Sequence, residues 1–108
     1  MLGLRHFKQT AIDLWQGEAK DFAADLTILV ETWKPKYLED FAISGKRHMS
    51  LIIADRSIEP AALFDQLKNF IDHGGKNNLV GRRISLILAS LEAYDAFQEA
   101  LFRIFPEA

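Results

Sequence analysis

The chain has 108 residues, 49% of them hydrophobic, and a net charge of −2. These values fit one compact domain spanning 1–108 and exclude a disordered chain. It has no cysteine, which excludes disulfides, a thiol nucleophile and thiolate metal ligation and is expected of a protein in the reducing cytoplasm.

No apolar run reaches the ~20 residues of a bilayer-crossing helix, and Met1 to Thr10 lack a signal-peptide pattern. No membrane partner is therefore expected, and the acidic balance gives no bulk attraction for nucleic acid.

In chain order, Thr10 to Trp15 alternates apolar and polar residues, the pattern of an edge or half-buried strand. Gln16 to Asp21 reads as a turn. Asp25 to Glu31 is a second strand, rich in apolar and β-branched residues. Pro35 to Ile43 is a short helix, with Pro35 at its start and Gly45 beyond its end.

The next two segments repeat each other. Gly45-Lys46-Arg47-His48-Met49-Ser50-Leu51-Ile52-Ile53-Ala54 is echoed by Gly81-Arg82-Arg83-Ile84-Ser85-Leu86-Ile87-Leu88-Ala89. Each has a glycine, then basic residues, then a continuous apolar run, as expected of parallel strands covered on both faces. The spacing between the copies matches a βα unit of roughly 30 residues. The spacing therefore predicts adjacent or near-adjacent parallel strands over 47–54 and 82–89.

A helix follows each copy. The first starts at Ser57 to Pro60, where Ser57 or Glu59 can cap it and Pro60 suits the first turn. Leu63, Leu67, Phe70 and Ile71 form its apolar stripe, and Gly74-Gly75 with the loop Lys76 to Asn78 ends it. The second begins after Ser90 and carries Tyr94, Phe97, Leu101 and Ile104 on one face. The order β-β-α-β-α-β-α predicts a single three-layer α/β domain with a mainly parallel sheet of about four strands. The expected core includes Leu51, Ile53, Leu67, Phe70, Leu86, Leu88, Phe97 and Leu101.

Ligands of open α/β sheets bind outside the carboxyl ends of the strands. Those ends carry Glu31, Asp55-Arg56-Ser57 and Ser90. Asp55, Arg56 and Ser57 precede a helix whose free N–H groups suit a phosphate or carboxylate; equally, Asp55 and Ser57 simply cap that helix. At the amino ends, Lys46, Arg47, His48, Arg82 and Arg83 form a basic rim. It either binds an anion or only keeps the surface soluble, and no aromatic residue interrupts it for base stacking. The three histidines show no metal-ligand spacing, so no metal and no cofactor are expected. No nucleophile elbow or glycine-rich phosphate loop is present, and no catalytic constellation emerges.

One resemblance covers most of the chain. Ile12-Asp13-Leu14-Trp15-Gln16-Gly17-Glu18-Ala19, followed by Ala24-Asp25-Leu26-Thr27-Ile28-Leu29, resembles the opening of a macro domain. Leu51 to Ala54, Pro60, Ile84 to Ala89, Tyr94 and Phe97 resemble that family's last two βα units. The resemblance implies binding of ADP-ribose or a nucleotide-like ligand. It places Glu18 where the family has its adenine-contacting aspartate and Asp25 at the head of the second strand. The chain departs from the family in three places, the first being that the family's glycine-rich first loop is missing. Leu29-Val30-Glu31-Thr32 stands where an asparagine pair is usual, and Arg56 to Pro60 where a glycine-rich phosphate loop is usual.

The resemblance therefore implies a shortened, non-catalytic binding or interaction module, with a nucleotide-like or phosphorylated small molecule as partner. Two alternatives remain at this stage. One is a structural protein acting as a homodimer or other homo-oligomer through exposed apolar residues and sheet edges, with Thr10 to Trp15 as one edge. The other is a hydrolase of ADP-ribosyl conjugates, with Glu31, Asp55 and Arg56 at the strand ends.

Overall fold

The computed structural model describes residues 3–22, 24–54, 57–74 and 79–106. Its five strands are β1 (Leu4–Phe7), β2 (Thr10–Gln16), β3 (Leu26–Val30), β4 (His48–Ile53) and β5 (Arg83–Leu88). Among the described residues its helices are α1 (Lys36–Ser44), α2 (Pro60–His73) and α3 (Leu91–Ile104), with a 3₁₀ turn at Ala19–Asp21. The sheet order is β1-β2-β5-β4-β3. Only β1 runs antiparallel, against β2; the other pairs are parallel. This is the mainly parallel α/β architecture expected from the alternation of elements, with one strand added at the amino end.

The repeated segments are the two central strands, β4 and β5. Their equivalent residues face each other in register, Ser50 with Ser85 and Leu51 with Leu86. β5 lies in the middle of the sheet and is buried along all but its first residue, which explains its unbroken apolar run. β3 is an edge strand and alternates in burial.

β2 differs from its expected place at the edge. β1 pairs outside it, and Thr10 to Leu14 are all buried. The alternation of this segment reflects two covered faces of different polarity, with Asp13 on one and Ile12 and Leu14 on the other. β1 was not legible in the sequence because it is only four residues long and is turned back by Lys8 and Gln9. Both adopt positive φ, 47° and 65°, without the glycine or asparagine that usually marks such a hairpin.

Helix boundaries follow local chemistry. Gly45 closes α1 in the left-handed region at φ 73°. Pro60 opens α2, and its cap residue Glu59 makes no side-chain cap bond. Ser90 caps α3 by accepting the Ala93 N–H at 3.1 Å. The polar loop expected at Lys76 to Asn78 lies outside the described residues, as does Gly75 before it.

The buried side chains of all three helices share one hydrophobic cluster with Ile12, Leu14, Met49, Leu51, Ile84, Leu86 and Leu88 of the sheet. Phe64 of α2 joins it edge-on to both Phe97 and Phe105. Alternate strand residues, among them Asp13, Ser50, Ser85 and Ile87, belong to the other face and lie outside this cluster. The link from β2 to β3 must cross that second face, because it joins the carboxyl end of one strand to the amino end of another three places away. Such a crossover is right-handed on the side away from the helices. Phe22 in this link meets Trp15 of β2, with ring centroids 5.5 Å apart. Helices, sheet and link form the three layers. Of the expected core, Ile53 and Phe70 are half-buried instead of fully buried; the other six residues are buried.

Candidate functional site

A cleft of about 280 Å³ opens at the carboxyl ends of β4 and β5, between the first turns of α2 and α3. Ile53 and Ala54 come from the end of β4, Ile58 and Pro60 from the start of α2, and Ala93, Ala96 and Phe97 from α3. The register of β4 with β5 brings these helix starts side by side. The four alanines Ala54, Ala89, Ala93 and Ala96 leave the lining with little bulk.

Ser90 and Glu92 are the polar side chains of the lining. The Ser90 hydroxyl is committed to its cap bond with Ala93. Among the described residues the lining is otherwise apolar, so it can hold an apolar or planar group.

Of the expected site residues, Ser57 is exposed and stands just before α2, on the cleft side of the sheet. Asp55 and Arg56 lie outside the described residues. Glu18 is exposed at the carboxyl end of β2 and pairs with Lys20 at 3.2 Å. Asp25 lies at the opposite end of the sheet, before β3, where its carboxylate accepts the His48 backbone N–H at 3.3 Å. Two strands separate β2 from β3, so Glu18, Asp25 and Ser57 occupy three places.

The basic rim is largely committed to the fold. Arg82 donates to the Phe41 carbonyl at 2.7 Å and lies over the Phe41 ring. Arg83 pairs with Asp13 at 3.1 Å, and Lys46 donates to the Asp25 carbonyl. Arg47 is exposed.

The second sheet face holds a polar row that the sequence reading passed over. Asp13, Ser85 and Ser50 are consecutive register partners on β2, β5 and β4, and all three are buried. Ser85 Oγ lies 2.7 Å from His48 Nε2. Asp13 Oδ1 and Ser50 Oγ have no hydrogen-bond partner among the described residues. A signal was present: in each copy of the repeat, a serine at the same position interrupts an otherwise apolar strand. The remaining histidines are apart from this row, His73 bonding through Nδ1 to the Asn69 carbonyl one turn back. No group of three potential metal ligands occurs among the described residues, nor any helix long and apolar enough to cross a membrane.

The fold and cleft thus define an α/β domain with a concavity at a strand-end position used for ligands in this class. Comparison with protein-family models, curated proteins and solved structures gives no match for the chain.

Proposed function

We propose that the chain is a non-catalytic, macro-like binding module of the cytoplasm whose ligand, a nucleotide-like molecule such as ADP-ribose, enters the cleft between α2 and α3. The observation that carries this reading is the position of the cleft, framed by the carboxyl ends of two central parallel strands and by two helix starts. Its volume of about 280 Å³ is just under the ~300–1,000 Å³ of pockets that enclose a whole drug-sized ligand. A single ring system fits inside, and the rest of the ligand extends over the rim. The apolar lining suits the faces of a base, and Glu92 supplies an acceptor for an exocyclic amine. A phosphate on such a ligand would meet the start of α2, where Arg56 and Ser57 stand in the sequence. The absence of cysteine supports the cytoplasmic setting.

A thermal-shift series with ADP-ribose, adenosine nucleotides and simple phosphometabolites tests the reading. Ala96 lines the cleft and is exposed, so Ala96→Trp fills the space without overpacking the core. A ligand that raises the melting temperature of the wild type should lose that effect in Ala96→Trp. An equal shift in both proteins, or no shift with any of these ligands, overturns the reading.

A second reading, a homodimer held by apolar contacts, is favoured by the exposure of Ile43 (75%) and Leu91 (63%). The solution mass at micromolar concentration decides it: a dimer that dissociates in Ile43→Glu or Leu91→Glu supports the reading, and a monomer removes it.

A further inference from the structure

We infer that the outer edge of β3 is a docking edge for an extended segment of another protein, one with basic residues at both ends, which joins the sheet as a sixth strand. The inference is independent of the cleft. β3 ends the sheet, with β4 on one side and, among the described residues, no strand on the other. The Val30 carbonyl accepts the Ala54 N–H, so Val30 turns its main chain toward β4. In a strand the N–H and C=O of one residue share a side, and successive residues alternate. Leu26 and Ile28 therefore also face β4, whereas Thr27 and Leu29 direct their main-chain groups outward. Two N–H and two C=O groups stand on this edge, without a backbone partner among the described residues.

The side chains are presented with them. Thr27 is exposed and Leu29 is 56% exposed. Leu29 also ends a cross-strand row with Ile52, Ile87 and Trp15 on the second sheet face. An added strand with an apolar residue beside Leu29 would extend that row while its main chain completes the ladder.

Charge selects the occupant. Asp25 and Glu31, both exposed, bracket the strand six residues apart, roughly 20 Å at strand rise. Glu31 has no ion pair among the described residues. The Asp25 carboxylate accepts the His48 backbone N–H and makes no ion pair among the described residues. A second copy pairing antiparallel about Ile28 would set Asp25 against Glu31 of its mate at both ends, and like charges directly opposite are destabilising. A segment with lysine or arginine at matching six-residue spacing instead places opposite charges at both ends. In that register the bracket disfavours a second copy of this edge, and it favours a basic-flanked segment.

The test uses the whole chain and a seven-residue peptide with lysine at both ends and alternating valine and threonine between, compared with the same peptide ending in glutamates. Binding is followed by backbone amide NMR. The lysine peptide should shift the amides of 26–30 and the glutamate peptide should not. Leu29→Pro removes only an outward N–H and leaves the β4 ladder whole; Glu31→Lys reverses one end of the bracket. Each should weaken the lysine peptide by roughly tenfold, and Glu31→Lys keeps the test open if Leu29→Pro does not fold. The inference is overturned if the lysine peptide does not bind or shifts amides elsewhere. It is also overturned if both peptides bind alike, if binding survives the substitutions, or if Leu29→Pro converts a dimer of the free protein to a monomer.

Discussion

His48 Nε2 lies 2.7 Å from Ser85 Oγ, a diagonal contact between β4 and β5 on the sheet face away from the helices. The directly opposite pairs are His48 with Arg83 and Ser50 with Ser85, so the ring reaches two residues along the neighbouring strand to find its partner. Ser85→Ala deletes that partner and leaves a part-buried ring nitrogen without a hydrogen bond. We expect a loss of about 1–2 kcal/mol in urea denaturation. A loss below a few tenths would mean that water replaces the hydroxyl at no cost.

The main core is on the other face. Leu86 is fully buried at the centre of the sheet and Phe97 of α3 packs edge-on against Phe64. Leu86→Ala and Phe97→Ala should each destabilise by roughly 2–5 kcal/mol. Phe70→Ala should cost less, because that ring is half-buried. Chemical denaturation of the three variants checks the order.

The β1–β2 hairpin is turned by Lys8 and Gln9 in the left-handed region. That conformation costs a non-glycine residue roughly 1–2 kcal/mol. Gln9→Gly should therefore stabilise the protein by about 0.5–1 kcal/mol, seen as a higher melting temperature. Gly81→Ala is the converse. Its φ is 77° and a Cβ there meets nothing within 4 Å, so its destabilisation would come from backbone strain alone.

Lys8 also ties the hairpin to α2. Its ammonium donates to Asp72 at 2.6 Å, and that hydrogen bond holds the Asp72 carboxyl below its ordinary value of 3.8. A carboxyl lowered on folding stabilises fully above its unfolded value, and the contribution disappears as pH falls through the lowered one. Wild type should thus be slightly more stable than Asp72→Asn at neutral pH, and the gap should close as the pH drops below about 3.8. The effect is small because the pair is open to solvent. Melting temperatures of both proteins from neutral to acid pH show it, and a gap that widens on acidification would contradict it.

The sequence by itself determined the central architecture. The repeated apolar runs can satisfy both covered faces only as parallel strands, and the helical stripes after them require helices packed across the sheet. This is why Ser50 and Ser85, equivalent in the repeat, are register partners in the fold. Helix ends were equally legible at Pro60, Ser90 and Gly45, because caps and left-handed turns depend on one residue and its immediate neighbours.

Other features depended on chain neighbours distant in sequence. β1 carries too short a pattern to be read, and its pairing outside β2 is what moved Asp13 from a half-exposed strand into a buried row with Ser85 and Ser50. Arg82 and Arg83 read as a free basic rim, since only the folded chain shows the Phe41 carbonyl and the Asp13 carboxylate that hold them. The cleft was anticipated at the strand ends, but its apolar lining joins residues of β4, α2 and α3. Periodicity is a property of one segment and survives in the sequence. Which charge meets which partner, and which wall closes which cleft, is set by strand order, and only tertiary structure decides it.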